Sequence, residues 1–503
     1  MKTRLITWAS VAVLLAATAI PALVAAQQAP RYKLIDLGTF GGPASYFPNK
    51  FDGMLNSRGT GVGWANTPTQ DPFCFWAPNC FATHAFQAQN GVVTDLGVLP
   101  RGDSSQAVWI TANGLIAGSS QNGEFDPLLG GFPEIRGVLW RNGDITDLGT
   151  LEGGFESVAN AVNNRGQVVG FSLNTVPDAC SLFVATQTRA FLWQDGAMQD
   201  LGTLGGPDAN AQLINDRGQI AGSSYTDSIN PATGCPFLHP FVWQNGAMMD
   251  LDTLGGTGFE IRSLNQRGQV VGLSNLSGDQ TFHPVLWSKG QLTDLGTLGG
   301  DTGETNWIND RGDIVGKADL PGPSPQLHDA VLWKNGKPID LGVFPGDSCS
   351  NAYFVNSHGQ VVGTSENQYL CSISVGQHAF LWEQGGPMVD LNTLIPPSAS
   401  LDLTYAVAIN DKGEIAGFGV PPDCAPQDYE LCGHAYMLIP CGMGEECTNV
   451  TLAATNVAPA VSSVLSKRPA GSTSGTTNLL ERWRNPLRQR PLAGGSAGFR
   501  PIG

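Results

Sequence analysis

The chain has 503 residues, 41% of them hydrophobic and 14% charged, with ten cysteines and a formal net charge of −16. An acidic surplus of this size excludes nucleic acid as a partner, because binding it needs a basic surface; the plain reading is the solubility of an extracellular protein. The charge is uneven: from Thr448 onward seven basic residues face one acidic residue, and with Lys2 and Arg4 set aside the region between carries about −24.

Residues 1–26 read as a secretory signal peptide. Lys2 and Arg4 make a positive start, an apolar run spans Ile6 to Val24, and Val24-Ala25-Ala26 suits cleavage before Gln27. Trp8, Ser10, Thr18 and Pro21 interrupt the apolar run, and no stop-transfer segment follows. The expectation is a secreted, extracellular protein without a transmembrane anchor, with periplasmic or surface-associated locations left open. An oxidising compartment also accounts for the cysteines, which can pair there.

From Tyr32 one phrase recurs eight times. YKLIDLGTF opens at Tyr32, and the phrase returns as TDLGVLP near Asp95, TDLGTLEGG near Asp147, QDLGTLGG near Asp200 and MDLDTLGG near Asp250. TDLGTLGG near Asp294, IDLGVFPG near Asp340 and VDLNTLIPP near Asp390 complete the set. Successive anchors stand about 44 to 59 residues apart, the period of propeller blades rather than of a helical solenoid.

Three further segments accompany each phrase. A short apolar run ends near Asn, as in NAQLIN (Asn210 to Asn215). A valine- or isoleucine-rich run follows, such as GQVVGFS from Gly166. An aromatic run comes third: RAFLW ending at Trp193, HPFVW at Trp243, HPVLW at Trp287 and HAFLW at Trp382. These runs are β-branched or aromatic, bounded by Gly and Asn, and read as strands. Turns such as Asn215-Asp216-Arg217-Gly218 and Asn245-Gly246 join them, since Gly and Asn accept positive φ cheaply. Each repeat is then a four-stranded antiparallel unit that must stack on its neighbours to bury both faces. The predicted fold is all-β, an eight-bladed β-propeller over residues 27–440. The chain starts with a fourth strand at Tyr32 and ends with a third at His434, so the N-terminal strand is expected to close the ring.

The repeated side chains have structural readings. Trp at the end of the third strand, absent from the first repeat (Ala88) and the last (Leu438), fits a plug between blades. The Asp of each Asp-Leu phrase is spread around a ring and cannot converge on one ion; a local hydrogen bond suits it better. His84, His239, His283, His328, His378 and His434 sit at or just before the start of the third strand, with Arg136 and Arg189 in the other two repeats. Such dispersion makes a poor metal cluster, so no metal and no cofactor are expected.

NDRGQIAGSS, HAFLW and DLGTLGG recurring in fixed order resemble the HAF-repeat family of extracellular bacterial proteins, named for the phrase at His84-Ala85-Phe86 and His378-Ala379-Phe380. The resemblance covers roughly Tyr32 to Leu438 and implies secretion, with no catalytic residues to carry over. The strand order is also similar to WD40-type propellers, an architectural likeness only.

No GxSxG elbow, HExxH, phosphate loop or CxxC pair occurs, so no catalytic residue is assigned. The second-to-third and fourth-to-first connections must share one face, and the long insertions fall there. They carry Phe73, Phe75, Trp76, Phe125, Phe183, Phe237 and Tyr369, beside acids that include Asp208, Glu260 and Glu304. This aromatic and acidic rim suits an extracellular glycan or protein, unless the aromatics only pin the loops. Disulfides are expected at Cys74–Cys80, Cys424–Cys432 and Cys441–Cys447 by spacing, at Cys349–Cys371 within one repeat, and at Cys180–Cys235 between neighbours. Residues 441–447 make a disulfide-closed turn, and residues 448–503 a disordered basic tail. The leading function is a monomeric, non-enzymatic binding or scaffold module. The alternative is a propeller glycoside hydrolase or polysaccharide lyase with carboxylates at the channel mouth.

Overall fold

The computed structural model describes residues 32–48, 53–73, 77–128, 131–183, 186–322, 327–367, 376–425, 428–442, 447 and 450–451. The signal-peptide reading, Cys74, Phe75, Trp76, Tyr369, Cys371 and the tail beyond Thr451 lie outside the described residues.

Eight antiparallel sheets form an eight-bladed β-propeller. The first seven blades occupy residues 45–97, 105–147, 154–200, 205–250, 255–294, 303–340 and 349–390, each with its four strands in sequence order. The eighth comprises residues 402–440 and is completed by Tyr32–Asp36, which pairs antiparallel with His434–Pro440 in the register Leu34↔Leu438 and Asp36↔Tyr436. First and last strands thus close the ring and leave no long edge between them.

Val450–Thr451 forms a short strand parallel to Tyr32–Asp36 and pairs with the outer edge of that strand.

A bulge recurs in the first strand of the second to eighth blades, between Ala107/Trp109, Ala159/Ala161, Ala211/Leu213, Ile261/Ser263, Thr305/Trp307, Ala352/Phe354 and Ala406/Ala408. It explains the glycine of the GQVVG phrase. A Cβ on Gly118, Gly170, Gly222, Gly272, Gly316, Gly363 or Gly417 would lie 1.8 to 2.1 Å from a first-strand carbonyl oxygen. Only glycine permits so close a backbone approach.

Apolar side chains gather in clusters between adjacent blades. The Val62, Leu96, Ile116, Val138 and Trp140 cluster joins the first blade to the second. Trp140, Trp243, Trp287, Trp333 and Trp382 are all buried, and the Trp140 Nε1 donates to the Leu96 carbonyl oxygen at 2.9 Å. The indole of Trp109 touches the clusters of the second–third, third–fourth and fourth–fifth interfaces. In the sixth and seventh blades Trp307 and Phe354 stack at 4.2 Å.

The repeated turn asparagine builds a belt. The Nδ2 amides of Asn163, Asn215, Asn265, Asn309, Asn356 and Asn410 each donate to the backbone carbonyl of the corresponding residue in the next blade, at 2.9 to 3.1 Å. Asn56 does the same to Thr111 at 3.0 Å. Each Oδ1 meanwhile accepts two N–H groups of its own turn, as Asn215 does from Arg217 and Gln219. Thr111 has no amide and interrupts the belt. There Asn113 and Asn164 bridge the blades instead, Asn113 Nδ2 donating to the Asn164 carbonyl at 2.8 Å.

Candidate functional site

The face opposite the belt carries the second-to-third connections, and half of it is raised. In the first four blades the second strands run 10 or 11 residues (Thr60–Gln70, Ile116–Phe125, Val168–Pro177, Ile220–Ile229). In the next four they run only six or seven (Val270–Leu276, Ile314–Asp319, Val361–Glu366, Ile415–Val420). Much of what the sequence presents as insertion loop is therefore hairpin, extended by about 10 Å or more at roughly 3.3 Å per residue.

These hairpins are laced side to side. Phe73 of the first packs against Phe132 of the second at 5.3 Å. Both belong to a cluster with Ile135, Phe155, Phe171 and Phe183, which joins the second hairpin to the third. Phe183 stacks on Phe171 at 4.1 Å. The Cys180–Cys235 disulfide ties the third to the fourth, and the Tyr225 hydroxyl donates to the Cys180 carbonyl oxygen at 2.8 Å. The result is a wall over half the ring. Its upper parts expose Phe125, Leu128, Val176 and Ile229, with Phe125 49% accessible.

The predicted site residues separate into two groups. Phe73 and Phe183 pin the wall from within, and Phe237 is half-buried with its ring 6.5 Å from that of His239. Phe125 stands exposed. Asp208 is buried on a first strand, where its carboxylate accepts N–H groups from Leu182 at 2.8 Å and Thr188 at 2.9 Å. Burial pushes its carboxyl up to about 7, against the pull of those two donors, and nearby Asp178 adds to the rise. Asp208 thus holds the preceding blade. Glu156 has the same place one blade earlier, accepting from Ile135 at 3.2 Å, with burial again pushing its carboxyl well up.

Glu260 and Glu304 do come together. The Arg262 guanidinium, carried on the first-strand bulge of the fifth blade, contacts Glu260 at 2.6 Å and Glu304 at 3.3 Å; Lys317 approaches Glu304 at 3.6 Å. Glu260 is half-exposed, whereas Glu304, Arg262 and Lys317 are largely covered. Two acids and two bases thus meet in one network between the fifth and sixth blades. The sequence reading found the acids but not Arg262 or Lys317. The signal was an arginine at a bulge position occupied by Asn160 and Gln212 in earlier repeats.

The repeated histidines and aspartates are partners of each other. His84–Asp95, His239–Asp250 and His283–Asp294 meet at 2.8 Å, and His434–Asp36 at 2.9 Å. Arg189 bonds Asp200 at 2.9 Å, and Arg136 lies 3.8 Å from Asp147. His378 turns to Asp347 at 3.3 Å. In the sixth blade the register places Asp329, not His328, at this position opposite the fourth strand. Every aspartate of the Asp-Leu phrase also accepts the N–H two residues on, as Asp95 does from Gly97 at 2.7 Å and Asp390 from Asn392 at 2.8 Å. Among the described residues no group of His, Cys, Asp or Glu is arranged to hold a metal ion.

Cys424–Cys432 and Cys441–Cys447 are also bonded, as are Cys80 and Cys349, whose expected partners lie outside the described residues. No helix among the described residues is long and apolar enough to cross a membrane.

No protein-family model matches the chain, and no curated protein matches it significantly. Several solved structures are similar in fold. The β-propeller domain of the Trilobed protease from Pyrococcus furiosus shares 10% identity, with a TM-score of 0.40 over 70% of this chain and 97% of that one. The acylaminoacyl peptidase of Pyrococcus horikoshii shares 10%, with a TM-score of 0.39 over 78% of this chain; the match spans only 58% of the peptidase. A polysaccharide lyase of family PL25, an ulvan lyase, shares 10%, with a TM-score of 0.35 over 73% of this chain and 98% of that one. Likenesses this distant assign neither substrate nor activity.

Proposed function

We propose that the protein is a secreted, monomeric binding module, related to the HAF-repeat proteins, which takes an extracellular glycan or protein on the insertion face without catalysing a reaction. The observation that carries this reading is the laced wall of four long hairpins formed by the first four blades. A rigid wall with exposed Phe125, Leu128, Val176 and Ile229 offers contact area whose ordering cost is already met in the free protein. The low side, with half-exposed Glu260, supplies a charged floor against which a ligand would lie.

The competing reading, a propeller glycosidase or polysaccharide lyase, draws on Glu260 and Glu304 at the channel mouth. Their shared counter-ion Arg262 favours a held network over proton exchange. A glycan and extracellular-protein binding screen on the purified protein tests both. Phe125→Ser with Leu128→Ser should weaken the best ligand about tenfold or more while the fold is kept. A polysaccharide turned over by the wild type but not by Glu260→Gln would replace this reading with the enzymatic one.

A further inference from the structure

The face that carries the belt also holds a pocket of about 220 Å³ between the first and second blades. Arg58, Thr60, Gln87, Gln89 and Asn142 line it, together with Leu96, Ile116 and Trp140, which are themselves buried. Its origin is visible in the repeat. Gln87 pairs with Val62 at a third-strand position that is Leu, Val or Met in every other blade, as at Leu139, Leu192 and Val242. Those counterparts are buried apolar side chains. Thr60 stands where Gln167, Gln219, Gln269 and Gln360 fill the equivalent space and hold the belt amide, as Gln167 Oε1 does for Asn163 at 2.7 Å. A short residue and a polar one at these two positions hollow the interface and line the hollow with hydrogen-bonding groups.

We propose that this pocket binds one sugar ring, a hexose or hexuronate unit, independently of the insertion face. The volume lies below the roughly 300–1,000 Å³ typical of sites for drug-sized ligands, which suits a single ring. The side-chain heads of Arg58, Gln87, Gln89 and Asn142 have no hydrogen-bond partner among the described residues. Each amide offers a donor and an acceptor side by side, the pattern that vicinal hydroxyls require. No carboxylate lines the pocket, so a cation gains nothing there, and Arg58 adds a fork for a hydroxyl pair or a sugar carboxylate.

Saturation-transfer NMR on the whole protein, with a panel of neutral hexoses, deoxyhexoses and hexuronates, is the test. At least one sugar should receive saturation from the protein. Gln87→Leu, which installs the residue of the other blades, should weaken that binding about tenfold or more, because two amide hydrogen bonds are lost. The melting temperature of this variant should hold or rise, so lost binding is not lost folding. Arg58→Ala should abolish the response to a hexuronate and spare a neutral hexose. Silence across the panel, or a response that survives Gln87→Leu, would overturn the assignment. Neither result bears on the ligand of the insertion face.

Discussion

At the third-strand position facing the Asp-Leu aspartate, a His or Arg stands in most blades, and the sixth blade shows what its loss does. The His239 imidazole is held above its usual range by the hydrogen bond to Asp250, and that bond, against the upward pull of burial, keeps Asp250 below the carboxylate range. The raised histidine stabilises fully below its unfolded value, and that contribution is lost as pH rises through its folded one. The depressed aspartate stabilises above its unfolded value and loses this as pH falls through its folded one. Both contributions are present between about pH 4 and 6.5. Asp329 has the opposite sign. Burial, the neighbouring Asp340 charge and a shared hydrogen bond push its carboxyl up to about 7. The folded state then holds the proton more tightly than the unfolded chain, so stability declines as pH rises from about 4 to 7. Asp329→His should restore the attractive pair and raise stability at pH 6 by about 1 kcal/mol, a modest figure because Asp340 is exposed and screened. Urea melts at pH 6 check this; a less stable variant would contradict the pairing argument. In the belt, Asn265→Ala removes one inter-blade bond and both caps of a turn. A loss of about 2–3 kcal/mol is expected from the same melts.

At the scale of the element, the four long hairpins hold together through lateral contacts rather than through their own pairing. Their outer ends are irregular: pairing skips between Gln121 and Phe125, Leu173 and Pro177, and Tyr225 and Ile229. An isolated two-stranded arm of this kind is marginal in water. The Cys180–Cys235 bridge and the phenylalanine cluster therefore set the wall's rigidity. Replacing Cys180 and Cys235 together by serine should speed hydrogen exchange at the outer ends of Val168–Pro177 and Ile220–Ile229. Exchange in the fifth to seventh blades should not change. Uniform acceleration throughout the ring would show that the bridge supports the propeller as a whole instead of the wall alone.

For the whole molecule, closure is the step with the longest reach. Tyr32–Asp36 pairs with residues some 400 positions away, and Leu34, almost fully buried, sits in the cluster between the seventh and eighth blades. Closing so long a loop costs little more entropy than closing one of half the length. Leu34→Asp should open the ring, lower the urea midpoint of the entire cooperative transition and expose two strand edges to self-association. Size-exclusion chromatography at sub-denaturing urea reads the second effect; a monomeric variant of unchanged midpoint would refute closure as the keystone of stability.

Blade number, strand identity and ring closure were readable because each follows from local rules repeated eight times. Alternating apolar runs, Asn and Gly turns, and a chain that begins on a fourth strand leave one arrangement that hides its edges. The separate oddities of His and Asp were visible too, although their pairing required the strand register. Three matters needed the tertiary structure. Trp109 packs against the clusters of three interfaces, and no local pattern marks a side chain with that reach. Insertion length did not reveal that the first four insertions form a wall, since their lateral contacts join segments dozens of residues apart. HAFQA read as one imperfect repeat among eight; that Gln87 and Thr60 together line a hollow against the second blade depends on how the two strands pack. Sequence periodicity specifies what every blade shares, and the proposed binding surfaces lie where blades depart from it, a relation that exists only once they are packed side by side.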